Sequence, residues 1–110
     1  MQLGRRSAEL VEELPGRQWV RLLDPQPPST GIRIGLAVYP PGGAAPASVH
    51  DQENEILVVV GGRAILVGAV EEPLAPGDVA WVPAGEQHAV RADRDVGLEV
   101  VAIFFRQEVG

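Results

Sequence analysis

The sequence predicts an all-β domain, either a closed barrel or a sandwich. Two observations carry this. Short apolar runs rich in β-branched residues recur along the whole chain. Thirteen glycines and ten prolines are spread between those runs instead of being gathered in one tail. Many short strands separated by turns produce that pattern. A length of 110 residues fits one domain, and a 45% hydrophobic content is enough for a core. The expected organisation is a single domain over 1–110, with an N-terminal arm at 1–16 and a barrel over about 17–107.

The elements follow in order. Ser7–Leu14 reads as a short helix capped by Ser7, with Leu10, Val11 and Leu14 on one face, or equally as an extended arm. Pro15-Gly16 ends it in either case. Gln18–Leu23 alternates and predicts a strand. "DPQPPSTG" is a loop, because its prolines cannot donate to a ladder. Ile32–Tyr39 alternates again and predicts a second strand. Glu55–Val60 is apolar without alternation, so it is expected to be a strand covered on both faces. Gly61-Gly62 reads as a two-residue hairpin turn, with Arg63–Val70 returning as the partner strand. A short strand is expected near Leu74, then strands in "VAWVP" and "HAVRA", and a last one over Leu98–Arg106.

Composition narrows the function. The formal net charge is −6 and there is no Lys/Arg cluster to neutralise phosphates, so nucleic acid is not an expected partner. No apolar run approaches the length of a membrane span. The N-terminus has two arginines but no apolar core after them, which does not suit a secretion signal. A cytoplasmic location is the expectation. With no cysteine, thiolate metal sites and cysteine catalysis are excluded.

The only two histidines stand in two glycine-punctuated stretches. The first runs Gly42, five residues, Ser48-Val49-His50, four residues, Glu55, six residues, Gly62. The second runs Gly77, five residues, Pro83-Ala84-Gly85, two residues, His88. Glu55 heads a greasy strand, and a carboxylate there is expensive unless it is paired or coordinated. Two imidazoles and one carboxylate are enough for a facial triad with open positions. Glu53 shares the strand parity of Glu55 and is the other carboxylate candidate. Tyr39 and Trp81 read as core or pocket wall.

These two stretches resemble the two conserved motifs of the cupin superfamily, G-x5-H-x-H-x(3,4)-E-x6-G and G-x5-P-x-G-x2-H-x3-N. The resemblance covers roughly Gly42–Ala92. It implies a double-stranded β-helix (cupin, jelly-roll) barrel whose motifs face the interior. By carry-over, His50, Glu55 and His88 would hold a divalent transition metal: Fe, Mn, Ni or Zn. Two positions depart from the pattern. Ser48 replaces the first motif histidine, normally a ligand, and Ala92 replaces the final Asn. A serine hydroxyl is a poor ligand for a divalent ion but can hydrogen-bond a metal-bound water. Ser48 and Glu53 are therefore the candidates for supporting roles in catalysis.

The leading functional expectation is a small metal-dependent enzyme, of oxygenase or isomerase, cyclase or lyase type, acting on a small metabolite in the barrel. The alternatives are a non-enzymatic ligand-binding cupin and a degenerate barrel without metal. A homodimer is expected, with Leu10, Val11 and Leu14 of the arm packing across a partner.

Overall fold

A computed structural model describes residues 1–23 and 31–106. Most of the loop expected at 24–31, and the end of the barrel expected at 107, lie outside the described residues. A 3-10 turn at Ala8–Leu10 leads into nine strands: β1 (Val11–Leu14), β2 (Arg17–Leu23), β3 (Arg33–Tyr39), β4 (Glu53–Gly62), β5 (Ala64–Val67), β6 (Glu71–Leu74), β7 (Val79–Val82), β8 (Ala89–Ala92) and β9 (Leu98–Arg106). One sheet has the order β1-β2-β3-β9-β4-β7 and the other β6-β5-β8. All pairings are antiparallel. The two sheets form the jelly-roll, double-stranded β-helix arrangement.

The helix expected over Ser7–Leu14 does not form; a single 3-10 turn at Ala8–Leu10 precedes an extended segment. Ser7 Oγ accepts from the Glu9 N–H and caps one turn, after which the chain extends into β1. β1 is an edge strand on β2, with Leu14 opposite Arg17. Arg6 reaches Glu99 at 3.3 Å, so the segment lies along the outer side of its own sheet.

Two expectations about β4 are corrected. First, Gly61-Gly62 is not a hairpin turn. Both glycines belong to β4 and pair with Glu99 and Leu98 of β9, after a register shift at Val60. β5 pairs with β6 and β8 instead. The chain therefore changes sheets at this point. Gly62 has φ 74°, and a Cβ there would collide with the Gly97 carbonyl. Arg63 N–H donates to that same carbonyl at 3.0 Å, fixing the crossover. Second, β4 is not covered on both faces. Glu55, Leu57 and Val59 point inward and are buried, whereas Val60 is exposed. The apolar run continues outward because Ile56 pairs with Trp81 on the outer face, where the Trp81 ring packs at a tilt 5.6 Å from Phe105. Trp81 is 56% exposed there and is neither core nor pocket wall.

Alternation decides what faces the interior. From β3 come Gly35, Ala37 and Tyr39; from β9, Leu98, Val100, Ala102 and Phe104. Several of these are small, and that leaves a hollow where a closed core would otherwise pack. Gly35 shows the fit most directly. The Trp19 indole lies across it, and a Cβ at 35 would overlap the ring. Overpacking of this kind costs about 1–3 kcal/mol. Gly35→Ala is expected to lower the urea midpoint accordingly and to shift Trp19 fluorescence. An unchanged midpoint would show that Trp19 does not pack on Gly35.

Candidate metal centre and its cavity

The two glycine-punctuated stretches meet through their backbones. Ser48 N–H donates to the His88 carbonyl at 2.9 Å, and His88 N–H donates to the Ser48 carbonyl at 3.0 Å. Gly85 N–H donates to the His50 carbonyl at 2.9 Å. Asn54, buried on β4, accepts from Ala84 N–H at 3.0 Å through Oδ1. The Pro83–Gly85 turn is thus held from both sides, and it sets where His88 emerges. Gly42, Gly62, Gly77 and Gly85, the four glycines of the pattern, all have positive φ. That is the left-handed region in which a side chain is disfavoured.

His50, Glu55 and His88 converge at this junction. Their ligand atoms all lie within 4.8 Å of one another, the only such group of three among the described residues. Glu55 and His88 are 6% and 8% exposed. His88 Nε2 is 2.7 Å from Glu55 Oε1. The ring N–H direction does not point at that oxygen, and Oε1 is left buried without a hydrogen-bond partner. Nδ1 of His88 is 3.4 Å from the Glu86 carbonyl. If Nδ1 carries the proton, Nε2 keeps its lone pair facing Glu55, which is the tautomer a metal ligand needs. Two nitrogens and an unpaired anionic oxygen around one point fit a divalent cation.

Behind His50, the Phe104 ring stands edge-on at 5.0 Å. Arg33 lies over the Phe104 ring at 4.0 Å, and its guanidinium is held by Glu53 at 2.8 Å. Glu53, Arg33, Phe104 and His50 therefore form one packed row. The cavity in front of the triad has a volume of about 350 Å³. Ser48, Trp19, Tyr39, Leu57 and Val100 contribute to its walls, and Arg17 and Arg33 bring positive charge. Burial pushes the Tyr39 phenol above its usual value, the Arg17 charge opposes that shift, and Glu55 adds to it. The phenol is therefore a proton donor at neutral pH.

The residues named from sequence are distributed as follows. His50, Glu55, His88 and Ser48 all face the cavity. Glu53 shares the inward parity of Glu55, but its carboxylate is engaged by Arg33 and does not line the cavity. Tyr39 is a wall residue, as expected. Arg17, Arg33, Asn54 and Phe104 were not singled out. The signal for Arg33 was present in "IRIGLAVY", where Arg33, Gly35, Ala37 and Tyr39 occupy one parity. An inward face of small and polar residues marks a pocket, not a core.

The His88–Glu55 contact has a pH signature in the metal-free protein. A small turn of the protonated ring aligns Nε2–H with Oε1. This hydrogen bond is the largest cause raising the His88 pKa, and burial opposes it. The folded value then lies above the ordinary 6.5. The contribution to stability is complete below about pH 6.5 and is lost as pH rises through the folded value. Urea midpoints of metal-free protein are expected to fall as pH increases above 6.5, and Glu55→Gln is expected to flatten that limb. A limb that persists in Glu55→Gln would assign the pH dependence elsewhere.

A family model described as Cupin_2, cupin domain, matches residues 35–104. Similar solved structures share the barrel over most of this chain. One is a "predicted oxalate decarboxylase" from Thermotoga maritima, 21% identical, with a TM-score of 0.84, covering 96% of this chain and 100% of that one. Another is a Cupin 2 conserved barrel domain protein from Salinispora arenicola, 25% identical, with a TM-score of 0.78, covering 96% and 88%. A third is a sugar phosphate isomerase of the cupin superfamily from Silicibacter pomeroyi, 26% identical, with a TM-score of 0.68, covering 84% of this chain and 60% of that one. No curated protein matches the chain by sequence. The matched span contains both glycine-punctuated stretches and the three converging side chains, and the chain belongs to the cupin family.

Proposed function

We propose that the chain is a metal-dependent cupin enzyme that acts on a small, oxygen-rich metabolite in the barrel. One observation carries the reading: Glu55 Oε1 is buried without a hydrogen-bond partner between two imidazoles. A carboxylate in that state is strongly destabilising unless a cation joins it. His50 and His88 would supply nitrogen ligands and Glu55 the oxygen, a set compatible with Fe, Mn, Ni or Zn. Such an ion, when bound, supplies Lewis acidity at its open positions.

The chain's own residues have distinct tasks. Glu55 contributes the charge that the cation needs. Phe104, braced by Arg33 and Glu53, fixes the plane of His50. Ser48 presents a hydroxyl to the cavity at the position of the absent ligand, where it can hold a water or pass a proton. Trp19, Leu57 and Val100 keep bulk water from the reacting end. Glu53 thus acts in support, through Arg33. The fold neighbours described as a "predicted oxalate decarboxylase" and a sugar phosphate isomerase are consistent with a small polar substrate.

A second reading is favoured by one contact. His88 and Glu55 at 2.7 Å neutralise each other once His88 is protonated, which suits a metal-free binding barrel. Elemental analysis of the purified protein, wild type against His50→Ala and His88→Ala, decides between them. The enzyme reading expects about one equivalent of metal in wild type and little in either variant. Equal content in all three would remove it.

Ser48 provides an independent check. Its backbone bridge to His88 and its place on the cavity wall put residue 48 beside the triad. Ser48→His is expected to add a nitrogen donor and tighten metal binding tenfold or more, about 1.4 kcal/mol. Any activity that uses the open position should fall. Unchanged metal affinity would mean that the side chain at 48 does not reach the ion.

A further inference from the structure

Among the described residues, one cation of the cavity is paired with no acidic side chain. Two arginines line it. Arg33 is held by Glu53 and laid on Phe104. Arg17 has no ion pair among the described residues, and its one hydrogen bond runs from Nη1 to the Pro15 carbonyl at 2.9 Å. A guanidinium has several N–H donors in a planar fork, so most of this one is left for another acceptor. Inward parity directs Arg17 to the cavity, since Trp19, two residues on, pairs with the inward Ala37. Gln18 pairs with Val38, which places Arg17 beside Tyr39 across β2 and β3. The Tyr39 hydroxyl makes no hydrogen bond among the described residues, and the residue lines the same cavity. Two sets of unused donors therefore stand together on the wall formed by β2 and β3, while the triad draws its ligands from β4 and the segments carrying His50 and His88.

We propose that Arg17 and Tyr39 form an anchor for a carboxylate, and that the substrate is a small organic acid with a second oxygen function turned toward His50, Glu55 and His88. This deepens the reading of the cavity as a metal-centred site. A planar fork plus one phenol matches the two oxygens of a carboxylate. A phosphate dianion is a poorer match. It would meet a single unneutralised guanidinium in a chain of net charge −6, with Glu12 also on the cavity wall. Glu12 makes no ion pair with Arg17 among the described residues, so the fork is not already occupied.

The test is calorimetric titration of the metal-loaded protein with unbranched dicarboxylates from malonate to adipate, and with glycerol 1-phosphate. Saturable binding is expected for at least one dicarboxylate, and Arg17→Gln should weaken it tenfold or more. Tyr39→Phe should weaken it less. Arg21→Gln removes the same charge from the same strand and is expected to change binding by less than about twofold, which separates an anchor from general attraction. Four results would overturn the proposal: no dicarboxylate binds wild type, Arg17→Gln binds as wild type does, Arg21→Gln loses as much as Arg17→Gln, or glycerol 1-phosphate binds more tightly than every dicarboxylate. Metal content measured on the same samples keeps the two readings apart. If the protein takes up no metal, the triad reading fails alone, and Arg17-dependent binding to the metal-free protein still decides the anchor.

Discussion

Glu55 lies on β4 between Phe104 of β9 and Val82 of β7, with one carboxylate oxygen sealed from water and unpaired. The surrounding architecture makes sense as the set of contacts that brings compensating groups to that oxygen. Neither histidine is near it in sequence terms that a local element would satisfy. His50 is delivered by the segment before β4 and His88 by the turn before β8. The Ser48–His88 backbone pair and the Gly85–His50 hydrogen bond lock those two deliveries together. Losing both would leave Glu55 as an isolated buried charge, which is far more costly than the hydrogen bonds themselves.

The cavity follows from a second constraint. A barrel this small would normally fill itself with branched side chains. Here Gly35, Ala37 and Ala102 point inward on neighbouring strands, and the Trp19 ring uses the room over Gly35. The wall that results carries positive charge at two places. Arg33 is compensated and braces Phe104 behind His50. Arg17 is uncompensated and faces the hollow. The same alternation that buries the core thus separates a ligand-bearing side from a cationic side.

Much of this could be read from residues alone, for identifiable reasons. The glycines at 42, 62, 77 and 85 sit at fixed offsets because the backbone needs positive φ at each, so their spacing encodes the turns. The strands at Leu98–Arg106 and around Gln18–Leu23 and Ile32–Tyr39 were legible from alternation and β-branching. The change of sheets after Gly61-Gly62 was not, because the local signal for a two-residue turn is the same whether the chain folds back or changes sheets. What decides is the non-local pairing of β4 with β9 and β7. The exposure of Trp81 and the engagement of Glu53 by Arg33 were hidden for a similar reason. Parity gives the face of a side chain but not its partner twenty residues away. The catalytic reading of Ser48 and Glu53 rests on placement, and placement differs between them: Ser48 looks into the cavity, whereas Glu53 is tied to its edge.

The central claim is that one ion draws two imidazoles and Glu55 together. The X-ray absorption spectrum of the Zn(II)-loaded protein tests it most directly, because outer-shell scattering from imidazole rings counts histidine ligands. The account predicts two imidazoles with the remaining positions filled by oxygen, and a loss of one oxygen scatterer or of the bound zinc in Glu55→Ala. A spectrum with no imidazole scattering, or one identical in Glu55→Ala, would contradict it.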